Sequence, residues 1–287
     1  MKLNAVVINY NDYQNTINFV NTIAAYNVVN KIIIVDNLST DDSLIHLKKL
    51  DNKKVHVIAN PINSGYGEGI NIAARYLINN RIDGVLMVCN TDIEIKGELD
   101  LMKMMAEFND HSVAVVAPII DELGTMRYGF KINTVKEEIL MSLPFVYEKN
   151  LKKYRFYESY NHYVDCIMGC FFMIRLDVLK NIDYFDSNMF LYYEENVLGI
   201  KLKNYGAKSA VCQDVVVKHN HSKTIDKSVN RINKYKLLKQ SQRYYLKQYL
   251  NASCFSLLIF DMIVLFFKLG LRIKLLIKRW GKCNYQI

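Results

Sequence analysis

The sequence predicts an α/β fold, a mostly parallel central sheet flanked by helices, with a basic amphipathic helical tail at the C-terminus. Three observations predict it. Over the first 117 residues, short Val- and Ile-rich runs alternate with segments of helical period. Small polar and acidic residues follow each of the first four runs, at what would be one edge of the sheet. The positive charge is concentrated in the last quarter of the chain.

Leu3–Ile8, Lys31–Val35, Lys54–Ala59, Gly84–Cys89 and Val113–Ala117 read as strands. Near-continuous apolar runs suit a parallel sheet covered on both faces. Between them Ile17, Val20, Ile23 and Ala24 share one helical face, as do Leu44, Leu47 and Leu50, and Ile70–Ile78 and Leu99–Phe108 behave similarly. Strand–helix–strand repetition implies right-handed crossovers and a doubly wound layer. Residues 119–165 are less regular and rich in Tyr, Lys and Glu. Cys170–Arg175 and Ala210–Lys218 read as further strands, and Val229–Leu250 as a basic helix.

The chain has 287 residues, 51% hydrophobic, with a formal charge of +9. That size supports a sizeable core, and 23% charged residues with 12 Gly and 3 Pro exclude a disordered or collagenous chain. Residues 1–217 carry 22 basic and 26 acidic residues, a net of −4; residues 218–287 carry 15 and 2, a net of +13. We therefore expect an acidic body over 1–225 and a basic, membrane-associating tail over 226–287. The tail points to a polyanionic surface, either membrane or nucleic acid.

The six cysteines form no C-x-x-C pair and no zinc spacing. The apolar stretch Ala5–Ile8 stops at Asn9, too short for a signal peptide. Mostly free thiols in a reducing cytosol are expected, with Cys166 and Cys170 as packing residues.

Strand 1 ends in Asn9-Tyr10-Asn11-Asp12 and strand 2 in Asp36-Asn37-Leu38-Ser39-Thr40-Asp41. Strand 3 is followed by Asn60–Asn71, which holds Gly65, Gly67 and Gly69, and strand 4 by Asn90-Thr91-Asp92. Each has a local explanation. Asp36 with Ser39 and Asp41 fits an Asx turn and helix cap, the glycines fit a tight loop entering a helix, and Asp92 fits a cap. Together on one edge they favour a nucleotide site. A dinucleotide fold is disfavoured, because no glycine follows strand 1 and the G-x-G-x-G run after strand 3 has the wrong spacing. No phosphate-loop G-x-x-x-x-G-K-[ST] is present.

Val6–Asn11, Ile33–Asp41, Asn60–Asn71 and Val85–Ile93 resemble the ordered motifs of family 2 glycosyltransferases with the GT-A fold. Gly169–Arg175, Phe185-Asp186, Phe190–Lys201 and Val217-Lys218-His219 continue the resemblance. It covers roughly residues 3–221 and is nearest the bacterial rhamnosyltransferase-like branch. It implies a nucleotide-diphosphate-sugar donor, with Asp36 accepting from the base beside Asn9, Tyr10 and Asn37. Gly65, Gly67 and Asn71 would lie in the nucleotide loop, where glycine permits close backbone approach. Asn90 takes the first position of the family's D-x-D motif. Asp92 and His219 would hold Mg²⁺ or Mn²⁺ at the diphosphate. The acidic pair falls on Glu194-Glu195, with Glu195 as general base in an inverting single displacement. A solvated helix N-terminus is the local alternative for that pair. The sequence departs from the family pattern at Asn90 for an acid, at Glu195 for Asp, and at Val197 for an acid.

Phe255–Phe267 is too short to span a bilayer and carries Asp261 at its middle, so a buried helix is expected. In Lys268–Lys282, Leu269, Ile273, Leu276, Ile277 and Trp280 share one face opposite Lys268, Arg272, Lys274, Lys278, Arg279 and Lys282. That pattern reads as an interfacial helix. The expected function is glycosyl transfer, from dTDP-rhamnose or a UDP-hexose, to a polyprenyl-diphosphate-linked glycan. The expected place is the cytoplasmic face of the bacterial plasma membrane, in capsule or O-antigen synthesis. A sugar-nucleotide-binding pseudoenzyme is the alternative; a nucleic-acid partner is disfavoured, since the tail is rich in long apolar runs and lacks a known motif.

Overall fold

The computed structural model describes residues 1–143, 156–157, 159–220 and 231–283, with backbone alone over 231–232 and 271–283. The chain runs β1 (Leu3–Asn9), α1 (Tyr13–Ala24), β2 (Val29–Asp36), α2 (Ser43–Leu47), β3 (Val55–Ala59) and α3 (Tyr66–Asn79). It continues through β4 (Val85–Cys89), β5 (Ile93–Glu94), α4 (Glu98–Ala106), β6 (Val113–Glu122), β7 (Thr125–Arg127) and α5 (Val135–Met141). Then come β8 (Tyr163–Val164), β9 (Phe171–Arg175), α6 (Leu176–Asn181), α7 (Glu194–Tyr205), β10 (Lys208–His219), α8 (Arg231–Gln248) and α9 (Cys254–Cys283).

The described strands form one sheet in the order β3-β2-β1-β4-β9-β6-β10-β5, with β7 on β6 and β8 on β10. β3, β2, β1 and β4 are mutually parallel, as the alternating pattern predicts. Their apolar residues divide between two core layers. Leu3, Ala5, Val7, Ile32 and Ile34 face α1, while Val6, Ile33, Val35 and Val88 face α3. β9 then inserts antiparallel between β4 and β6. Its residues are buried from Phe171 to Ile174, so its composition announces a central strand but not its direction.

That insertion positions the site. β10 runs parallel to β6 and its last residues pair antiparallel with β5, His219 opposite Ile93. The turn between β4 and β5 therefore sits beside the end of β10. Asn220 N–H donates to the Asp92 carbonyl at 3.0 Å and closes the corner.

The two stretches read separately as Phe255–Phe267 and Lys268–Lys282 form one continuous helix, α9. The expectation that Phe255–Phe267 is a buried helix fails. Leu257 and Phe260 are buried, but Phe255 and Phe266 are 72% and 73% exposed. The cause is that α9 lies across the surface and buries one face only, against Val135 and Ile139 of α5 and Leu246 of α8. The boundary expected at 225/226 falls outside the described residues. So do the side chains of Arg272, Ile273, Lys274, Leu276, Ile277, Lys278, Arg279, Trp280 and Lys282.

α8 packs into the body. Tyr245 is fully buried in a cluster with Met189, Tyr193 and Val197. Val197 stands where the family pattern has an acid, and it is buried in this apolar cluster. Replacing Tyr245 with Ala removes a large buried aromatic, and we expect a loss of about 3–5 kcal/mol in stability, read by chemical denaturation. A loss within a few tenths would show that α8 is not part of the folded unit.

Candidate active site

The C-terminal ends of β1 and β2 carry the first cluster. Asn9 is buried and donates through Nδ2 to Asp36 Oδ1 at 2.7 Å and to Ser39 Oγ at 3.1 Å, while its Oδ1 accepts from Thr16 at 2.8 Å. Asp36 also accepts from Ser39 Oγ at 2.6 Å and from the Ser39 N–H at 3.1 Å. Asp36 thus bonds the N–H three residues on and not in an Asx turn, and it caps no helix, because α2 starts at Ser43 after Asp42; the carboxylate is nonetheless fixed in a pre-set direction. Tyr10 is half-buried next to this cluster in sequence.

Asn37 ties this cluster to the glycine loop: its Nδ2 donates to the Gly65 carbonyl at 2.9 Å and its Oδ1 accepts from Asn60 at 2.7 Å. Gly65 caps α3 with φ +87°, and a Cβ there would overlap the Phe190 carbonyl. The Tyr66 N–H donates to that same carbonyl at 3.0 Å. Gly67 is nearly as confined, with Phe185 Cβ 3.1 Å from where a Cβ would stand. Asn71 is fully buried and grips Phe185 from both sides, donating to its carbonyl and accepting from its N–H, each at 2.9 Å. The polar atoms of Asn37 and Asn71 therefore fasten the glycine loop and the 185–193 segment.

Asp92 and His219 meet at the β4–β5 corner, Oδ1 to Nε2 at 3.4 Å, and both are mostly shielded from solvent. Asp92 is not a helix cap, because α4 starts at Glu98. Glu122 of β6 stands behind His219, its Oε1 4.0 Å from Nδ1. Asn90 faces inward and accepts from the Tyr66 hydroxyl at 3.0 Å.

Glu194 and Glu195 open α7 after two consecutive residues in the left-handed region, Tyr192 (φ 73°) and Tyr193 (φ 71°). Two bulky residues at positive φ are costly and persist only where the surroundings hold them. Here Tyr193 OH donates to Glu138 Oε2 at 2.7 Å and its ring packs on Tyr245 at 5.2 Å. The turn delivers the Glu195 carboxylate onto Gly169, where a Cβ would stand 1.8 Å from Oε1 and the missing side chain leaves room for the acid. The Gly169 carbonyl also lies 3.3 Å from the Tyr66 hydroxyl, so Glu195, Gly169, Tyr66 and Asn90 adjoin one another. Glu194 is buried, and one of its carboxylate oxygens has no hydrogen-bond partner among the described residues.

A family profile for Glycosyl transferase family 2 matches residues 5–183. The chain belongs to glycosyl transferase family 2. Among curated proteins it is similar to the low-salt glycan biosynthesis hexosyltransferase Agl10 of Haloferax volcanii, 25% identical over 227 residues, covering 76% of this chain and 67% of that one. Among solved structures it resembles the mannosyltransferase PcManGT of Pyrobaculum calidifontis, in complex with GDP-Man and Mn²⁺. The TM-score is 0.56 at 12% identity, over 91% of this chain and 73% of that one. It also resembles GalNAc-T7 with UDP, GalNAc and Mn²⁺, with a TM-score of 0.58 at 17% identity over 76% of this chain; the transferase spans 44% of that structure. The fold is GT-A.

The sequence reading missed four residues in this transferase. Tyr66 and Glu122 carry no local signal. Gly169 was visible only as the start of a strand motif, and Glu138 only as one acid in an irregular region. Glu138 is 3% exposed and its carboxylate accepts from Asn133 at 3.0 Å, Tyr193 at 2.7 Å and Gln242 of α8 at 2.9 Å.

Burial, reinforced by the charge of Glu195, raises the Glu194 carboxyl well above the ordinary carboxylate range. The folded chain keeps a proton there that the unfolded chain releases from about pH 5 upward, so stability falls as pH rises through that window. Glu194→Gln removes this linkage. Denaturation across about pH 5–8 is expected to show a declining wild-type stability and a flatter variant; parallel curves would contradict the assignment.

Proposed function

We propose that the chain is an inverting transferase that moves a sugar from a nucleotide-diphosphate donor to a hydroxyl of a lipid-linked glycan. The observation that carries this reading is the placement of the Glu195 carboxylate on Gly169, at the sheet edge where Asp92 and His219 converge. The hexosyltransferase relative favours a hexose; dTDP-rhamnose is the competing donor from the sequence reading.

Asp36, aimed by Asn9 and Ser39, accepts from the nucleotide base, with Tyr10 lining the same pocket. Gly65 and Gly67 let the loop backbone pack against Phe190 and Phe185, in place of the close approach to the nucleotide that the resemblance implies. Asp92 and His219, 3.4 Å apart, would hold a Mg²⁺ or Mn²⁺ ion through a carboxylate and an imidazole. Among the described residues no group of three His, Cys, Asp or Glu side chains is arranged to hold a metal. When bound, such an ion neutralises charge on the departing diphosphate.

Burial raises the Glu194 carboxyl above the ordinary carboxylate range, and Glu195 is the member of the pair placed on Gly169. Glu195 takes the proton from the acceptor hydroxyl as that oxygen attacks the anomeric carbon, and one displacement inverts the configuration. Asn37 and Asn71 act at a distance, by holding the two loops together.

A panel of UDP-, GDP- and dTDP-sugars, assayed for hydrolysis and transfer with Mn²⁺, with Mg²⁺ and with EDTA, tests this. Turnover should require the ion. Asp92→Ala and Glu195→Gln should each lower kcat about 100-fold or more, with Glu195→Gln still binding donor. Full turnover in both variants would sink the site, and donor binding without any turnover would make the chain a pseudoenzyme.

A further inference from the structure

α9 carries an apolar face that no other described residue covers. Phe255, Leu258, Met262, Leu265, Phe266 and Leu269 are between 46% and 73% exposed. At about 100° per residue they occupy a single arc about 100° wide. The opposite face is the one that packs, through Leu257 and Phe260. Six large apolar side chains in one unbroken stripe are more than a soluble surface ordinarily leaves contiguous.

The charges around the stripe select what meets it. Asp261 is the one acid in α9, and Arg243 of α8 neutralises it through two hydrogen bonds, Nε to Oδ1 at 2.8 Å and Nη2 to Oδ2 at 3.0 Å. Beyond Asp261 the sequence carries Lys268, Arg272, Lys274, Lys278, Arg279 and Lys282 and no acid. A second copy of the chain would bring like charges against like. A bilayer rich in anionic headgroups offers the complementary sign and an apolar interior together. No helix among the described residues is long and apolar enough to cross a membrane. The 30 residues of α9 extend about 45 Å, enough to lie along a surface.

We propose that α9 docks lengthwise on an anionic lipid bilayer, with the Phe255–Leu269 stripe in the interface and its cations at the headgroups. The contact starts thirteen residues earlier than the Lys268–Lys282 segment that the sequence pattern singles out. It also lies one helix from the acidic pair, because α8 packs on α9 and holds the segment before Glu194 through Ser241 Oγ, which donates to the Leu191 carbonyl at 2.7 Å. The proposal does not depend on which sugar is transferred.

Flotation of the full chain with phosphatidylcholine vesicles, with and without phosphatidylglycerol, tests it. The wild type should float with the anionic vesicles and release about 10-fold or more at high salt. The double variant Phe255→Ser/Phe266→Ser should bind about 10-fold or more weakly. Its thermal midpoint and its nucleotide-sugar binding in lipid-free buffer should be unchanged, since both side chains are exposed. Leu258→Ser/Leu265→Ser, on the same face, should reproduce the loss. The proposal is overturned if the wild type stays unbound to anionic vesicles or if both double variants bind like wild type. It is equally overturned if wild type is a dimer in buffer that the variants convert to monomer.

Discussion

One buried carboxylate organises the part of the molecule that carries the Glu194-Glu195 pair. Glu138 lies in the first turn of α5, and Asn133, Tyr193 and Gln242 all donate to it. A charge removed from water is tolerable only when its acceptor sites are filled. Each donor comes from a different part of the chain, so satisfying Glu138 requires three pieces to be in place at once. Tyr193 is the residue before the acidic pair, and Gln242 belongs to α8. The same carboxylate therefore fixes the entry to α7 and the seat of the C-terminal helices.

The turn it holds is strained, and the strain has a direction. With Tyr192 and Tyr193 both at positive φ, the chain reverses sharply and enters α7 with its first two residues as acids. One acid goes under the glycine loop, where Gly67 leaves room beside the Glu194 side chain, and the other goes onto Gly169. Two neighbouring carboxyl groups are placed in unlike surroundings, and burial raises the carboxyl of Glu194. Further hydrogen bonds brace the same segment, since Tyr244 and Tyr249 both donate to Asp186 Oδ2, at 2.9 and 2.7 Å.

The half of the fold built from β1 to β4 was legible because buried parallel strands and amphipathic helices leave different periods in the sequence. Asp36, Asp92 and the glycines were legible because they follow strands directly, where the sheet edge must lie. β9 was recognisable as a strand but not as an antiparallel one, since full burial erases the alternation that tells faces apart. Tyr66, Glu122 and Glu138 left no trace, because their roles come from contacts across the fold that no local spacing encodes. The tail misled for a related reason. Its apolar run suggested burial, but burial of α9 is decided by the width of the face that α5 and α8 cover.

Gly169 and Glu195 also bear on how such a site can change over generations. The carboxylate fills the volume that any side chain at 169 would need, so the shape of one residue is the mould of the other. A Cβ at 169 would require the Glu195 side chain to move aside. The two positions, 26 residues apart in sequence, share one volume, and a change at either alters the space open to the other.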